Sequence, residues 1–259
     1  FPIYESVIRW AGCTPVPLPL TAERGFAFTA ADVAERLTER TRLIILNSPA
    51  NPTGGVVPGE VVDELAAVLG EHPCWILSDE VYSEILYGAL HFSPLALPPL
   101  RDRIILCDAF SKTWSMTGWR LGYGVMPKPL AEQVTRLQIN CTSCAATFSQ
   151  RAALAALRGP RAPAEAMVRT FRRRRDVIVE GLNAIPGVRC AEPKGAFYAF
   201  PHFGPDAVAL ARRFLEEAGV ACVPGTSFGA AGREYIRFSY AASEETIREA
   251  LRRIRALLA

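Results

Sequence analysis

Only three lysines occur in the chain, Lys112, Lys128 and Lys194, against a background that uses arginine almost everywhere else. The first sits in "DAFSKTWSMTGWRLGYG" (108–124), after an apolar run and ahead of a glycine-bearing loop that carries Arg120. A lysine held out of water loses its proton readily, and the free amine attacks a carbonyl carbon to form a Schiff base. An arbitrary lysine is a solvated surface group, so the case for chemistry rests on what accompanies it. Asn51 in "NSPANPTG", Asp79 and Tyr82 in "SDEVYSEILY", and Ser111 beside the lysine itself each follow an apolar run. Taken singly they are unremarkable. Asp79 would be a helix cap, Tyr82 a core aromatic, "NPTG" a turn and Arg120 a surface ion pair.

The elements that must position these residues follow a pattern. "RLIILNSPANPTGG", "CWILSDEVY" and "RIILCDAFSK" read as strands that are apolar throughout, with "PGEVVDELAAVLGEH" as an amphipathic helix between the first two. Such strands alternating with helices predict a mostly parallel sheet covered on both faces. Ligands bind such sheets at the carboxyl ends of the strands, and that is where Asn51, Asp79, Tyr82, Ser111 and Lys112 fall. Upstream, "YESVIRWAG" reads as a helix ending at Gly12, "TPVPLPL" as extended chain and "TAADVAERLTER" as a helix with a threonine cap. "WRLGYGVM" reads as a fourth strand, followed by a helix over about 129–138. Long helices are predicted from Thr147 to Ala184. Beyond Pro186, "GVRCAEP", "GAFYAFP", "DAVALARRFLEEAG", "VACVPG", "EYIRFSYA" and "SEETIREALRRIRALLA" describe a small α+β unit. The predicted fold class is α/β, with residues 1–157 in a large domain and 158–259 in a small one that includes the connecting helix.

Composition narrows the function classes. Charge is nearly balanced, 29 basic against 26 acidic residues, which gives no reason to expect nucleic acid as a partner. No apolar run is long enough to span a bilayer, so no membrane partner is expected. Seven scattered cysteines, odd in number and partly inside apolar runs, suit a reducing cytoplasm better than a disulfide framework. "CTSC" (141–144) lacks a second pair or a histidine at zinc spacing, so no metal is expected. "GTSFG" (225–229) satisfies G-x-S-x-G, yet all three histidines precede Ser227, which the triad order of those hydrolases forbids. "RRRR" (172–175) points its arginines in several directions around a helix and reads as a solvated face.

The stretches "NSPANPTG" (47–54), "SDEVYSEILY" (78–87), "AFSKTWSMTGWRLGY" (109–123), "PKGAFYAF" (193–200), "VPGTSFG" (223–229) and "YIRFSYA" (235–241) together resemble the class I/II pyridoxal-phosphate-dependent aminotransferases, in that family's order. The resemblance implies the pyridoxal-phosphate-dependent transferase fold and a reaction that moves an amino group between an amino acid and a 2-oxo acid. It makes Lys112 the amine that holds the cofactor aldehyde as the internal aldimine and then shuttles the substrate Cα proton. Asp79 matches the carboxylate that keeps the pyridine nitrogen protonated, and Tyr82 and Asn51 the partners of the ring's phenolate oxygen. Ser111 and Arg120 match phosphate ligands, and Arg237 the arginine that grips the substrate α-carboxylate, with Asn51 beside it. A homodimer is implied as well. "MTGWRLGY" is most similar to aspartate and broad-specificity bacterial members, although no arginine lies between Arg136 and Arg151, where some aspartate-specific relatives place a side-chain ligand.

In the resembled family, "FPIYESVIRWAG" corresponds to a segment preceded by an arm, a first strand, a glycine-rich phosphate-binding helix start and a ring-stacking aromatic. The resemblance therefore implies that these 259 residues are the C-terminal part of a longer enzyme, with an incomplete large domain and weak cofactor binding on their own. A same-fold lyase acting on carbon–sulfur bonds, and the aminotransferase-like sensor half of a transcription regulator, are the alternatives the sequence leaves open.

Overall fold

The computed structural model describes residues 1–70 and 72–259. The chain opens with helix α1 (Pro2–Trp10), none of whose residues is buried. The run "TPVPLPL" that follows is extended but joins no sheet among the described residues, as expected where Pro15, Pro17 and Pro19 offer no N–H to a ladder. Helix α2 (Ala30–Ala34) is much shorter than its predicted span. Thr29 and Asp32 form a capping box at its start. Four residues past its end, the Thr41 hydroxyl takes the Thr38 N–H at 3.0 Å, closing a turn that competes with helix propagation.

The first sheet has the order β1-β2-β3-β4. Strands β1 (Leu43–Asn47), β2 (Trp75–Asp79) and β3 (Ile104–Ala109) run parallel, with helix α3 (Gly59–Leu69) in the first crossover. β3 passes directly into the short helix α4 (Phe110–Thr113), and β4 (Gly122–Val125) returns antiparallel along the sheet's edge. Leu46, Ile76 and Ile104 from the sheet pack against Leu65 and Leu69 of α3 in one core. Helix α5 (Lys128–Thr142) outruns its predicted span at both ends and buries no residue, and α6 (Thr147–Arg158) follows it.

The predicted division at 157/158 falls at the last turn of α6. Helix α7 (Ala162–Asn183) leads into a second, antiparallel sheet of order β5-β7-β6, built from β5 (Tyr198–Ala199), β6 (Val223–Pro224) and β7 (Ile236–Ser239). Helices α8 (Ala207–Glu216) and α9 (Glu244–Leu258) complete it. "GVRCAEP" forms only a single bridge, Arg189 to His202, rather than a strand. The core here joins Ile178 and Leu182 of α7, Phe214 of α8, Phe238 of β7 and Leu251 and Ile254 of α9, and also takes in Tyr82, Ile85 and Tyr87 from the segment after β2. Side chains from the first sheet's loop are thus packed into the second unit.

Candidate active site

The parallel register aligns Asn47 and Asp79, the last residues of β1 and β2, with Cys107, two residues before the end of β3. Asn47 ties the turn beyond it to the neighbouring strand. Its Nδ2 donates to the Asp79 carbonyl at 3.2 Å, and its Oδ1 accepts the Asn51 backbone N–H at 2.9 Å. Asn51 is thereby fixed in a buried turn, 6 % exposed. The Asp79 carboxylate accepts from the Val81 N–H at 3.3 Å through Oδ1 and from the Tyr4 hydroxyl through Oδ2. Burial and the adjacent Asp79 charge keep the Tyr4 phenol protonated far above its ordinary range.

Lys112 projects from α4, directly after β3. Its Nζ lies 5.7 Å from the Tyr82 ring centroid and 5.4 Å from that of Phe197. Burial lowers its pKa, and the guanidinium groups of Arg120 and Arg237 lower it further. No carboxylate pairs with it among the described residues. This is the environment that makes an amine nucleophilic. Arg120 sits at φ 51°, with Nη1 donating to the Thr117 carbonyl at 2.9 Å. Ser111 is half-buried beside Lys112 in the same helix turn.

The second unit closes the site. Arg237, in the central strand β7, donates from Nη1 to Asn51 Oδ1 at 3.0 Å. Its guanidinium lies 4.8 Å over the Tyr198 ring and 5.1 Å over the Phe228 ring. Its Nε is buried without a hydrogen-bond partner. A buried guanidinium nitrogen left open is costly unless an anion meets it, even where the rest of the side chain is only part-buried. Tyr82, 4 % exposed, has its hydroxyl 2.8 Å from that of Tyr198.

The donor set fits a phosphorylated pyridine aldehyde. It offers an amine of lowered pKa for the aldehyde, a carboxylate for a ring nitrogen, a buried phenol and amide for a ring oxygen, and a guanidinium near the amine for a phosphate. Arg237, with its open Nε, fits a substrate carboxylate. Lys112, Tyr82, Asn51 and Arg237 are brought together directly, Arg120 lies close enough to bias the amine, and Asp79 adds to the field at Tyr82. Ser111 makes no side-chain hydrogen bond among the described residues, and only its adjacency to Lys112 places it. Tyr4, Asn47 and Tyr198 escaped the sequence reading as site residues. Asn47 and Tyr198 lie inside stretches that carried the resemblance. Tyr4 reaches Asp79 across 75 residues, and no local pattern signals that.

The aminotransferase class I and II profile matches residues 1–254. A probable aspartate/prephenate aminotransferase of Aquifex aeolicus is 42% identical over 98% of this chain, which spans 67% of that relative. Among solved structures, an aromatic aminotransferase from Pyrococcus horikoshii superposes with a TM-score of 0.95 at 37% identity, covering 100% of this chain and 70% of its own. The aspartate aminotransferase of Thermus thermophilus with maleate gives 0.92 at 39% identity, over 99% and 67% respectively. The chain therefore spans about two thirds of the length of the relatives it matches.

Proposed function

The chain belongs to the aminotransferase class I and II family and is an amino-group transferase of that kind, and we propose that Lys112 is the residue that performs the transfer. Pyridoxal phosphate, the cofactor the family implies, would supply an aldehyde for that amine and a ring that accepts electrons from the substrate Cα. Asp79 would hold the ring nitrogen protonated. Tyr82 and the Asn51 amide NH2 would donate to the ring oxygen, since Asn51 Oδ1 is already taken by Arg237. Arg120 and Ser111 would hold the phosphate. Arg237 would clamp the α-carboxylate, which turns the Cα–H toward Lys112. The Lys112 amine, its pKa lowered by burial, would take the Cα proton as a general base.

One observation carries this reading. The amine of Lys112 faces two aromatic rings with no counter-charge, in the same crevice where Arg237 keeps a buried nitrogen open. The α-carboxylate and amine are common to all amino acids, so these residues define the reacting end of the substrate and leave the side chain to others. Aspartate, for which the Aquifex and Thermus relatives are named, is the first donor to assay, with a 2-oxo acid as acceptor. Exposed apolar side chains on the outer helices, Trp10, Leu137, Ile139 and Leu157, support a homodimer. Seven free thiols support a cytoplasmic setting. No helix among the described residues is long and apolar enough to cross a membrane.

Borohydride reduction of the chain mixed with pyridoxal phosphate, followed by peptide mapping, tests the assignment. The label should fall on the peptide containing Lys112. A label confined to Lys128 or Lys194, or none, overturns it.

A further inference from the structure

We propose that Tyr198 is a positioning residue whose hydroxyl sets the direction in which the Tyr82 phenol donates, while its ring serves as the platform under Arg237. This rests on the residue roles proposed above and concerns a side chain that none of them uses.

Tyr198 opens β5 and is 6 % exposed. Its hydroxyl is 2.8 Å from the Tyr82 hydroxyl, and either oxygen can be the donor. The two rings meet edge to face, 5.8 Å apart at 85°. On its other side the Tyr198 ring carries the Arg237 guanidinium at 4.8 Å. One side chain thus touches the carboxylate clamp and the ring-oxygen ligand together. Its neighbour Phe197, with ring centroids 4.8 Å apart, is a phenylalanine in the same aromatic cluster. Packing alone would be met by a second, so it is the hydroxyl that calls for a reason.

The reason lies in proton counting. A phenol has one proton to give. If Tyr82 gives it to Tyr198, none is left for an oxygen in front of it. With a ligand oxygen there, a single arrangement satisfies every group: Tyr198 donates into Tyr82, and Tyr82 donates onward. Donors in series polarise one another, so Tyr82 becomes the stronger donor and the ligand oxygen is held more firmly as an anion. Lys112, Asp79 and Arg237 are the charged groups that face Tyr82. Burial is the main reason Tyr82 keeps its proton; Tyr198 and Asp79 also oppose its loss and Arg237 favours it, so Tyr82 stays a donor.

The test uses the whole chain with pyridoxal phosphate and reads the pH midpoint at which the bound cofactor's visible absorbance changes. Tyr198→Phe keeps the ring and removes only the donor. The midpoint should rise by about 0.1–0.3 pH unit, the share of one hydrogen bond's strength that a donor in series contributes. Binding of succinate, an unreactive carboxylate, should be unchanged because the platform under Arg237 remains. In a Tyr82→Phe background the same substitution should shift nothing. An unchanged midpoint in Tyr198→Phe, or an equal shift with and without the Tyr82 hydroxyl, overturns the inference while leaving the Lys112 assignment intact. A wild-type chain whose reduced adduct lies elsewhere overturns both, and a cofactor bound at Lys112 that does not titrate overturns the inference alone.

Discussion

Gly54 lies three residues beyond Asn51, buried, at φ +68°. Its carbonyl accepts the N–H groups of both Lys194 and Gly195 at 2.9 Å, which joins the Asn51 turn to the loop leading into β5. An alanine there meets two separate penalties. The left-handed backbone costs an L-residue about 1–2 kcal/mol. Its Cβ would also stand 2.5 Å from Pro193 Cβ and 2.9 Å from the Gly195 carbonyl oxygen, well inside the carbon–carbon optimum of about 3.5–4 Å. Neither neighbour is the loose end of a flexible side chain, so relief requires moving backbone, at about 1–3 kcal/mol. Against this, the stiffer unfolded chain returns about 0.4–1 kcal/mol. The net expectation for Gly54→Ala is a loss of about 2–4 kcal/mol. Gly187 is the internal control, since it has φ +81° and nothing within 4 Å of an added Cβ. Gly187→Ala should lose only about 0.5–1 kcal/mol, the backbone cost less the unfolded-state return. Urea unfolding of both variants, compared through midpoints at constant slope, separates clash from strain. If Gly54→Ala is no less stable than Gly187→Ala, the contact between the Asn51 turn and the 193–195 loop is not the tight one described, and its role in aligning the site fails with it.

Two further substitutions probe charge. Arg120 helps to lower the Lys112 pKa, so Arg120→Gln should let it rise and leave less neutral amine at a given pH. Capture of pyridoxal, which lacks the phosphate, should then move to higher pH, as followed by absorbance, and a profile that stays in place refutes the coupling. Glu80, one residue past β2, accepts hydrogen bonds from Ser78 at 2.8 Å, Ser93 at 2.6 Å and His91 at 2.7 Å. Burial alone would raise its pKa, but these donors outweigh it and the net shift is downward from 4.5. A depressed folded pKa means stability that is full above the unfolded value and is lost as pH falls through the folded one. Glu80→Gln should therefore flatten the acid limb of a stability–pH curve below about 4.5, and an unaltered limb in urea titrations contradicts the assignment.

The parallel strands were legible because they read as unbroken apolar runs, with the face carrying Leu46, Ile76 and Ile104 buried and the opposite face part-buried, and their carboxyl ends mark where Asn51, Asp79 and Lys112 must lie. Arg237 was legible as an anomaly, an arginine among strand apolars. Short-range rules failed at α2, where the helix stops at Ala34 and a threonine-closed turn follows, although its apolar spacing continued. Tyr4 and Tyr198 were invisible as site residues for a different reason. Their partners lie 75 and 116 residues away, and a tyrosine in an apolar stretch looks the same whether its hydroxyl is satisfied by water or by a catalytic group.

The site straddles two sheets, and side-chain bonds alone would hold such an arrangement poorly. Asn51 with Arg237, and Tyr82 with Tyr198, are each a single contact between groups on different elements. The main chain supplies the stiffness. Tyr87 N–H donates to the Lys194 carbonyl and Ala196 N–H to the Ile85 carbonyl, both at 2.9 Å, with a bridge between Leu86 and Gly195. The segment carrying Tyr82 is thus spliced by backbone pairing onto the strand that carries Tyr198, while Gly54 splices the Asn51 turn to the same 194–195 dipeptide. A Cβ on Gly195 would meet Pro49 at 2.7 Å, so the third residue of "PKG" must be glycine for the two splices to coexist. Backbone pairs have no rotamers to lose, and they fix both side-chain contacts before any ligand arrives. A preorganised site of this kind does not reorganise its dipoles during reaction. On this argument the "NPTG" and "PKGAFY" stretches are one structural unit, and weakening either should disturb the amine, the phenol and the carboxylate clamp together.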